Sequence, residues 1–190
     1  MAVAQNAVVV GSIADVAKRE GRSLAESFLS CDAVILVDVS GSMNATDSRG
    51  GKSRYEVALQ ELAELQLHMP GKLAVIAFSD TTLFAPGGQP PMLNGGTNLA
   101  GALKFARVAD VPGMQFVVIS DGVPDDKVQA LAEAAKYKAK ISTVFTGPEG
   151  DHESGRAFLA KLAGKSGGEA VTADRAQELA AKTAALLLGA

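Results

Sequence analysis

The stretch Val34-Ile35-Leu36-Val37-Asp38-Val39-Ser40-Gly41-Ser42-Met43 decides how this sequence is read. Four uncharged, mostly β-branched residues run straight into an aspartate and a polar turn. A run this short and this apolar, with no polar alternation, predicts a strand buried on both faces, as in a parallel sheet. Three more runs of the same kind follow, at Leu73–Phe78, 116–119 and Ile141–Phe145. Amphipathic stretches separate them. Residues 55–67 carry Val57, Leu62 and Leu65 on one predicted helical face and stop before Pro70-Gly71. Residues 126–140 place Val128, Leu131, Ala132 and Ala135 at three- and four-residue steps, and residues 156–163 run up to Gly164. A weak strand is expected near 169–172, and a last helix over 174–188, opened by an Asp174…Gln177 capping pair. Strand and helix alternate throughout. The expected fold class is α/β, a doubly wound, mostly parallel sheet with helices on both faces. Residues 81–85 follow the second strand too closely for a crossover, so they read as a hairpin partner and one antiparallel edge strand.

Composition bounds the function. The chain has 190 residues, 47% hydrophobic and 21% charged, the usage of a globular domain. Eighteen Lys+Arg against 21 Asp+Glu leave a net charge of −3, which argues against an electrostatic grip on nucleic acid. One cysteine, Cys31, permits no internal disulfide, and with only two histidines no Cys/His zinc site can be assembled. Met1 to Ala17 lacks the basic start and long apolar core of a secretory signal, and no window is apolar enough to span a bilayer. A cytoplasmic protein with no membrane contact is the expectation. Residues 1–31 stand apart from the strand–helix pattern. Ser12…Asp15 and Ser23…Glu26 have capping spacing on either side of Gly21, so this segment reads as a helical extension of two short helices before a domain over 32–190.

In open α/β sheets, ligands bind at the carboxyl ends of the strands. The first apolar run is followed by Asp38-Val39-Ser40-Gly41-Ser42-Met43, and the run at 116–119 by Ser120-Asp121-Gly122. Between them, Gly95-Gly96-Thr97-Asn98-Leu99 opens a helix with Thr97 at its N-terminus. These loops bring two carboxylates and three hydroxyls to one sheet edge, an all-oxygen set for a hard cation. So few carboxylates suit Mg²⁺ or Mn²⁺ better than Ca²⁺, which prefers more of them. If both aspartates act through water, the direct donors are neutral. The ion then stays electrophilic enough to draw an anionic oxygen from another protein.

At these residues the sequence resembles the von Willebrand factor A domain family. Asp38-x-Ser40-x-Ser42, the Thr97 loop and the Asp121-Gly122 turn are similar to that family's metal-ion-dependent adhesion site, and the resemblance spans about residues 32–190. It implies Mg²⁺, with Mn²⁺ or Ca²⁺ as substitutes. Ser40, Ser42 and Thr97 would hold the ion directly, with Asp38 and Asp121 acting through water. It implies a protein-binding module rather than an enzyme, whose partner supplies an Asp or Glu to complete the octahedron. Stand-alone bacterial members often work with AAA+ ATPases or chelatases, so an intracellular adaptor is the expected setting.

Taken singly, these residues are ordinary. An aspartate at a strand end, a Ser-Gly-Ser turn, a threonine before a helix and an Asp-Gly turn all occur without metals. Their joint order carries the reading. Two other classes compete: a Mg²⁺-dependent phosphohydrolase using the same ligands, and a structural scaffold with a vestigial site. The chain lacks the second aspartate, at position 40, that a haloacid-dehalogenase-type phosphatase needs. Gly51-Lys52-Ser53 lacks the earlier glycine of a phosphate-binding loop, Thr46 standing there instead. Ser40 lacks the flanking glycines of a nucleophile elbow. Asp125 and Asp126 read as caps of the following helix, and Met43, Asn44 and Thr46 as solvated loop. Cys31 reads as a buried, inert thiol, His68 as a structural residue near a helix end, and His152 as solvated.

Overall fold

The computed structural model describes residues 8–148 and 154–172; the expected helix over 174–188 and His152 lie outside them. In chain order the elements are α1 (Ile13–Glu20), α2 (Leu24–Leu29), β1 (Ala33–Asp38), α3 (Arg54–His68), β2 (Leu73–Phe78) and β3 (Thr82–Phe84). There follow α4 (Leu99–Ala106), β4 (Gln115–Ser120), α5 (Lys127–Ala134), β5 (Ile141–Phe145), α6 (Gly155–Ser166) and β6 (Ala170–Thr172). The sheet order is β3-β2-β1-β4-β5-β6, with β3 antiparallel to β2 and every other pairing parallel.

All six residues of β1 and of β2 are buried, as the unbroken apolar runs require. Alternate side chains face opposite layers. Val34 and Leu36 of β1 join Leu103 of α4 and Phe158 and Leu162 of α6 in one core. Ile35 and Val37 join Ala58, Leu62 and Leu65 of α3 in the other. Each large aliphatic side chain so buried stabilises the fold by about 1.5–3 kcal/mol before entropy is counted. The N-terminal helices belong to the first core. Ile13 and Cys31 are buried in it, and Phe28 meets Phe84 edge-on at 5.6 Å. Ser23 and Glu26 close a full capping box on α2. At α1, Ser12 caps Asp15, but the Asp15 carboxylate reaches one residue further back, to the Gly11 N–H. Cys31 is a buried free thiol, and burial pushes it up to about 12.

Several local expectations need correction. Helix α5 ends at Ala134, not Lys140, and its buried residues are Ala130 and Ala134, while Val128 is exposed. Tertiary contacts override the helical pattern here. The Tyr137 ring packs on Phe116 and its hydroxyl donates to the Leu103 carbonyl, while Asp110 accepts from the N–H groups of Lys138 and Ala139. Gly164 does not stop α6. The helix runs on to Gly167, whose left-handed backbone (φ 75°) ends it. Met43 is not loop surface either. A 3-10 turn over Gly41–Asn44 turns its side chain into the second core, beside Val37 and Val39.

Candidate metal centre

The strand order reverses direction at β1, whose neighbours β2 and β4 lie on opposite sides of it. That switch point opens a crevice beyond the carboxyl ends of β1 and β4. Asp38 is the last residue of β1, and Asp121 follows the last residue of β4. Both are buried.

Asp38 is held by neutral donors. Its Oδ1 accepts from the Ser40 N–H at 2.9 Å and its Oδ2 from the Ser120 hydroxyl at 2.7 Å. Burial pushes its carboxyl up to about 6, against the lowering effect of Ser40 and Ser120 and with some help from the negative charge of Asp121. Asp121 is held by a cation. Its Oδ2 accepts from Arg54 Nη1 at 2.7 Å, and its Oδ1 takes a longer bond of 3.3 Å from the Val123 N–H. The same guanidinium grips both oxygens of Asp47, through Nε at 2.8 Å and Nη2 at 2.7 Å.

Two of the hydroxyls meet in the turn after β1 and share a hydrogen bond. Ser40 Oγ and Ser42 Oγ lie 3.2 Å apart. The loop bearing Thr97 closes against this turn: Gly41 N–H donates to the Gly95 carbonyl, Asn94 N–H to the Val39 carbonyl, and Asn44 Nδ2 to Asn94 Oδ1. A Cβ at Gly41 would stand 3.4 Å from the Gly95 oxygen, in ordinary contact with that loop. Thr97 is buried and pinned through both of its backbone polar groups. Its N–H donates to both oxygens of Asp125, and its carbonyl accepts from the Asp125 N–H.

The predicted residues therefore fall at one crevice, on three segments that share hydrogen bonds. Two details differ from the sequence reading. Thr97 is not the helix cap: Asn98 caps α4 by accepting from the Gly101 N–H, and Thr97 stands just before it. Of the two aspartates expected to cap α5, only Asp126 does so, while Asp125 holds Thr97. Sequence reasoning also passed over Arg54, Asp47 and Ser120. A signal existed for Arg54: it opens α3, where the helix dipole disfavours a cation, so it needed a carboxylate nearby.

The donor set fits a small divalent ion. Among the described residues no three His, Cys, Asp or Glu side chains come together as a metal site, so an ion here would depend on hydroxyl ligands as well. Adjacent oxygen ligands of an octahedral Mg²⁺ with bonds of 2.0–2.1 Å lie about 3 Å apart. The Ser40–Ser42 separation of 3.2 Å matches that spacing.

No protein-family model and no curated protein sequence matches this chain. Solved structures do match. An aerotolerance-related membrane protein from Bacteroides fragilis aligns over 83% of this chain and 98% of its own, at 17% identity and a TM-score of 0.64. A von Willebrand factor type A structure from Catenulispora acidiphila aligns over 82% of this chain and 42% of its own, at 17% identity and a TM-score of 0.56. This chain has the von Willebrand factor A fold. Manganese-loaded TRAP from Plasmodium vivax shares it, over 81% of this chain and 74% of its own, at 17% identity and a TM-score of 0.57. At such identities the von Willebrand factor A likeness establishes the architecture; the site rests on the residues above.

Proposed function

We propose that this chain is a divalent-cation-dependent protein-binding module. The observation that carries the reading is the pair of Ser40 and Ser42 hydroxyls, 3.2 Å apart, in front of the buried carboxylates of Asp38 and Asp121. Ser40, Ser42 and Thr97 would hold Mg²⁺ or Mn²⁺ directly, with Asp38 and Asp121 acting through water. The ion would supply an electrophilic position open to a carboxylate oxygen of the partner. The protein's part is preorganisation. Ser120 and the Ser40 N–H orient Asp38, Arg54 orients Asp121, and Asp125 fixes the Thr97 peptide. Ser42 is exposed, which leaves the mouth of the crevice open to a partner's acidic residue.

Binding is favoured over hydrolysis by the state of Asp38. Both of its oxygens already accept strong hydrogen bonds, which suits an orienting carboxylate more than a nucleophile. The partner we infer belongs to an intracellular assembly of the AAA+ ATPase type, and the setting to the cytoplasm. Both follow from the family resemblance and the lone thiol. Among the described residues no helix is long and apolar enough to cross a membrane.

The test is a calorimetric titration of Mg²⁺ and Mn²⁺ into metal-free protein, with Asp38→Ala as control. The expected result is saturable binding that the variant loses. A matched pull-down with Mg²⁺ and with EDTA should then show partner capture only with the ion. Equal binding of metal by both proteins would sink the reading.

A further inference from the structure

Arg54 carries a charge in an unusual place. It opens α3, next to the positive end of the helix dipole. The acid one turn in, Glu56, is already engaged by Ser53 N–H and Oγ in a capping box. Arg54 instead reaches sideways to Asp47 with a two-pronged grip and to Asp121 with its remaining Nη1. Its side chain is 16% exposed and that of Asp121 1%, so water screens this contact little. Its backbone N–H also donates to the Ala45 carbonyl. One residue thus ties the loop that carries Ser42 to the end of β4.

We propose that Arg54 is a positioning residue and built-in counter-ion of the metal centre, fixing Asp121 and holding down the site's affinity for a bare divalent cation. The inference rests on the metal-binding reading above and adds who controls that affinity. Asp121 has two oxygens, and Arg54 takes one of them. A dication at the hydroxyl pair must then share this carboxylate with a fixed positive charge, which repels it. A partner carboxylate offsets that repulsion. Ion and acidic partner therefore bind as a pair, each raising the affinity of the other. Two effects oppose each other when Arg54 is removed: repulsion is relieved, and orientation is lost. Relief wins, because Asp121 is packed in on all sides and still held through Oδ1 by Val123. Asp47 acts with the opposite sign. It neutralises much of the guanidinium charge, and without it that charge bears fully on Asp121.

Mn²⁺ titration of the full chain, by calorimetry or by loss of the free-ion paramagnetic resonance signal, separates these roles. Arg54→Met is expected to bind Mn²⁺ roughly tenfold more tightly than wild type. Arg54→Lys, which keeps the charge, should stay within about threefold of wild type. Asp47→Asn should bind more weakly. Thermal unfolding in EDTA should show Arg54→Met destabilised, and Mn²⁺ should raise its melting temperature by more than it raises that of wild type. A purely structural role predicts that Arg54→Met and Asp47→Asn move the affinity in the same direction, or not at all, and either result overturns the proposal. Should Arg54→Met fail to fold, unchanged affinity in Asp47→Asn overturns it as well. Wild type that binds while Arg54→Met binds no better refutes the role of Arg54 and leaves the metal centre standing. Absence of Mn²⁺ binding in both refutes the metal centre too.

Discussion

Asp38 and Asp121 end neighbouring parallel strands and are both buried, yet they are stabilised in different ways. Asp38 is surrounded by neutral donors from Ser40 and Ser120, and burial drives its carboxyl up to about 6. Asp121 is paired with a guanidinium that is itself anchored by Asp47. The first arrangement leaves a negative charge without a partner cation, which on the proposed reading an ion from outside would supply. The second supplies a cation from within. On that reading, a site built from one of each would draw a dication without demanding one for folding. Hydrogen bonds to dipoles orient a carboxylate but do not neutralise it, whereas an ion pair does both.

The strongest way to break this comparison is to delete the uncompensated member. Asp38→Ala is expected to abolish Mg²⁺ and Mn²⁺ binding in a titration that detects it in wild type. Asp121→Asn should do less to the ion and more to the fold. It removes one arm of the Arg54 bridge, with an expected cost of about 1–3 kcal/mol in metal-free protein, measured by urea unfolding. Asp38→Asn in EDTA should do the reverse. The folded-state value of about 6 lies above the unfolded value near 3.8, so ionised Asp38 destabilises the fold above pH 6. That penalty fades as pH falls through 6 toward 4, where the folded state takes up a proton ahead of the unfolded chain. The amide should therefore stabilise metal-free protein by about 1–2 kcal/mol at pH 7.5 and by almost nothing at pH 4.5. Melting curves at the two pH values check the sign, and equal shifts at both would remove burial as the cause. The smallest effect is expected outside the crevice. Tyr137→Phe deletes the bond to the Leu103 carbonyl and should cost about 1 kcal/mol, with metal affinity unchanged.

The architecture was largely legible in the residues because its signal is local. Unbroken apolar runs such as Leu73–Phe78 can be satisfied only by burial on both faces, and the helices between them follow from a parallel sheet. Asp38, Ser40, Ser42 and Asp121 were legible for a related reason: strand ends are fixed once strands are, and chemistry at the carboxyl edge follows from where each run stops. The reading failed where two distant segments compete for one stretch of backbone. Residues 135–140 have a helical pattern, but Tyr137 gains more by packing on Phe116 than by completing a turn. Asp125 has the spacing of a cap, but the Thr97 N–H reaches it first.

Hydrophobic patterning thus set the order of strands and helices and put oxygen-bearing side chains at the carboxyl ends of β1 and β4. These follow from hydrophobic periodicity and from the chemistry of side chains at strand ends. Only the tertiary structure decided the state of charge there. Which aspartate meets Ser120 and which meets Arg54 depends on contacts across 82 and 67 residues of chain. Electrostatics depends on separation in space and on burial, and neither is written in spacing along the chain.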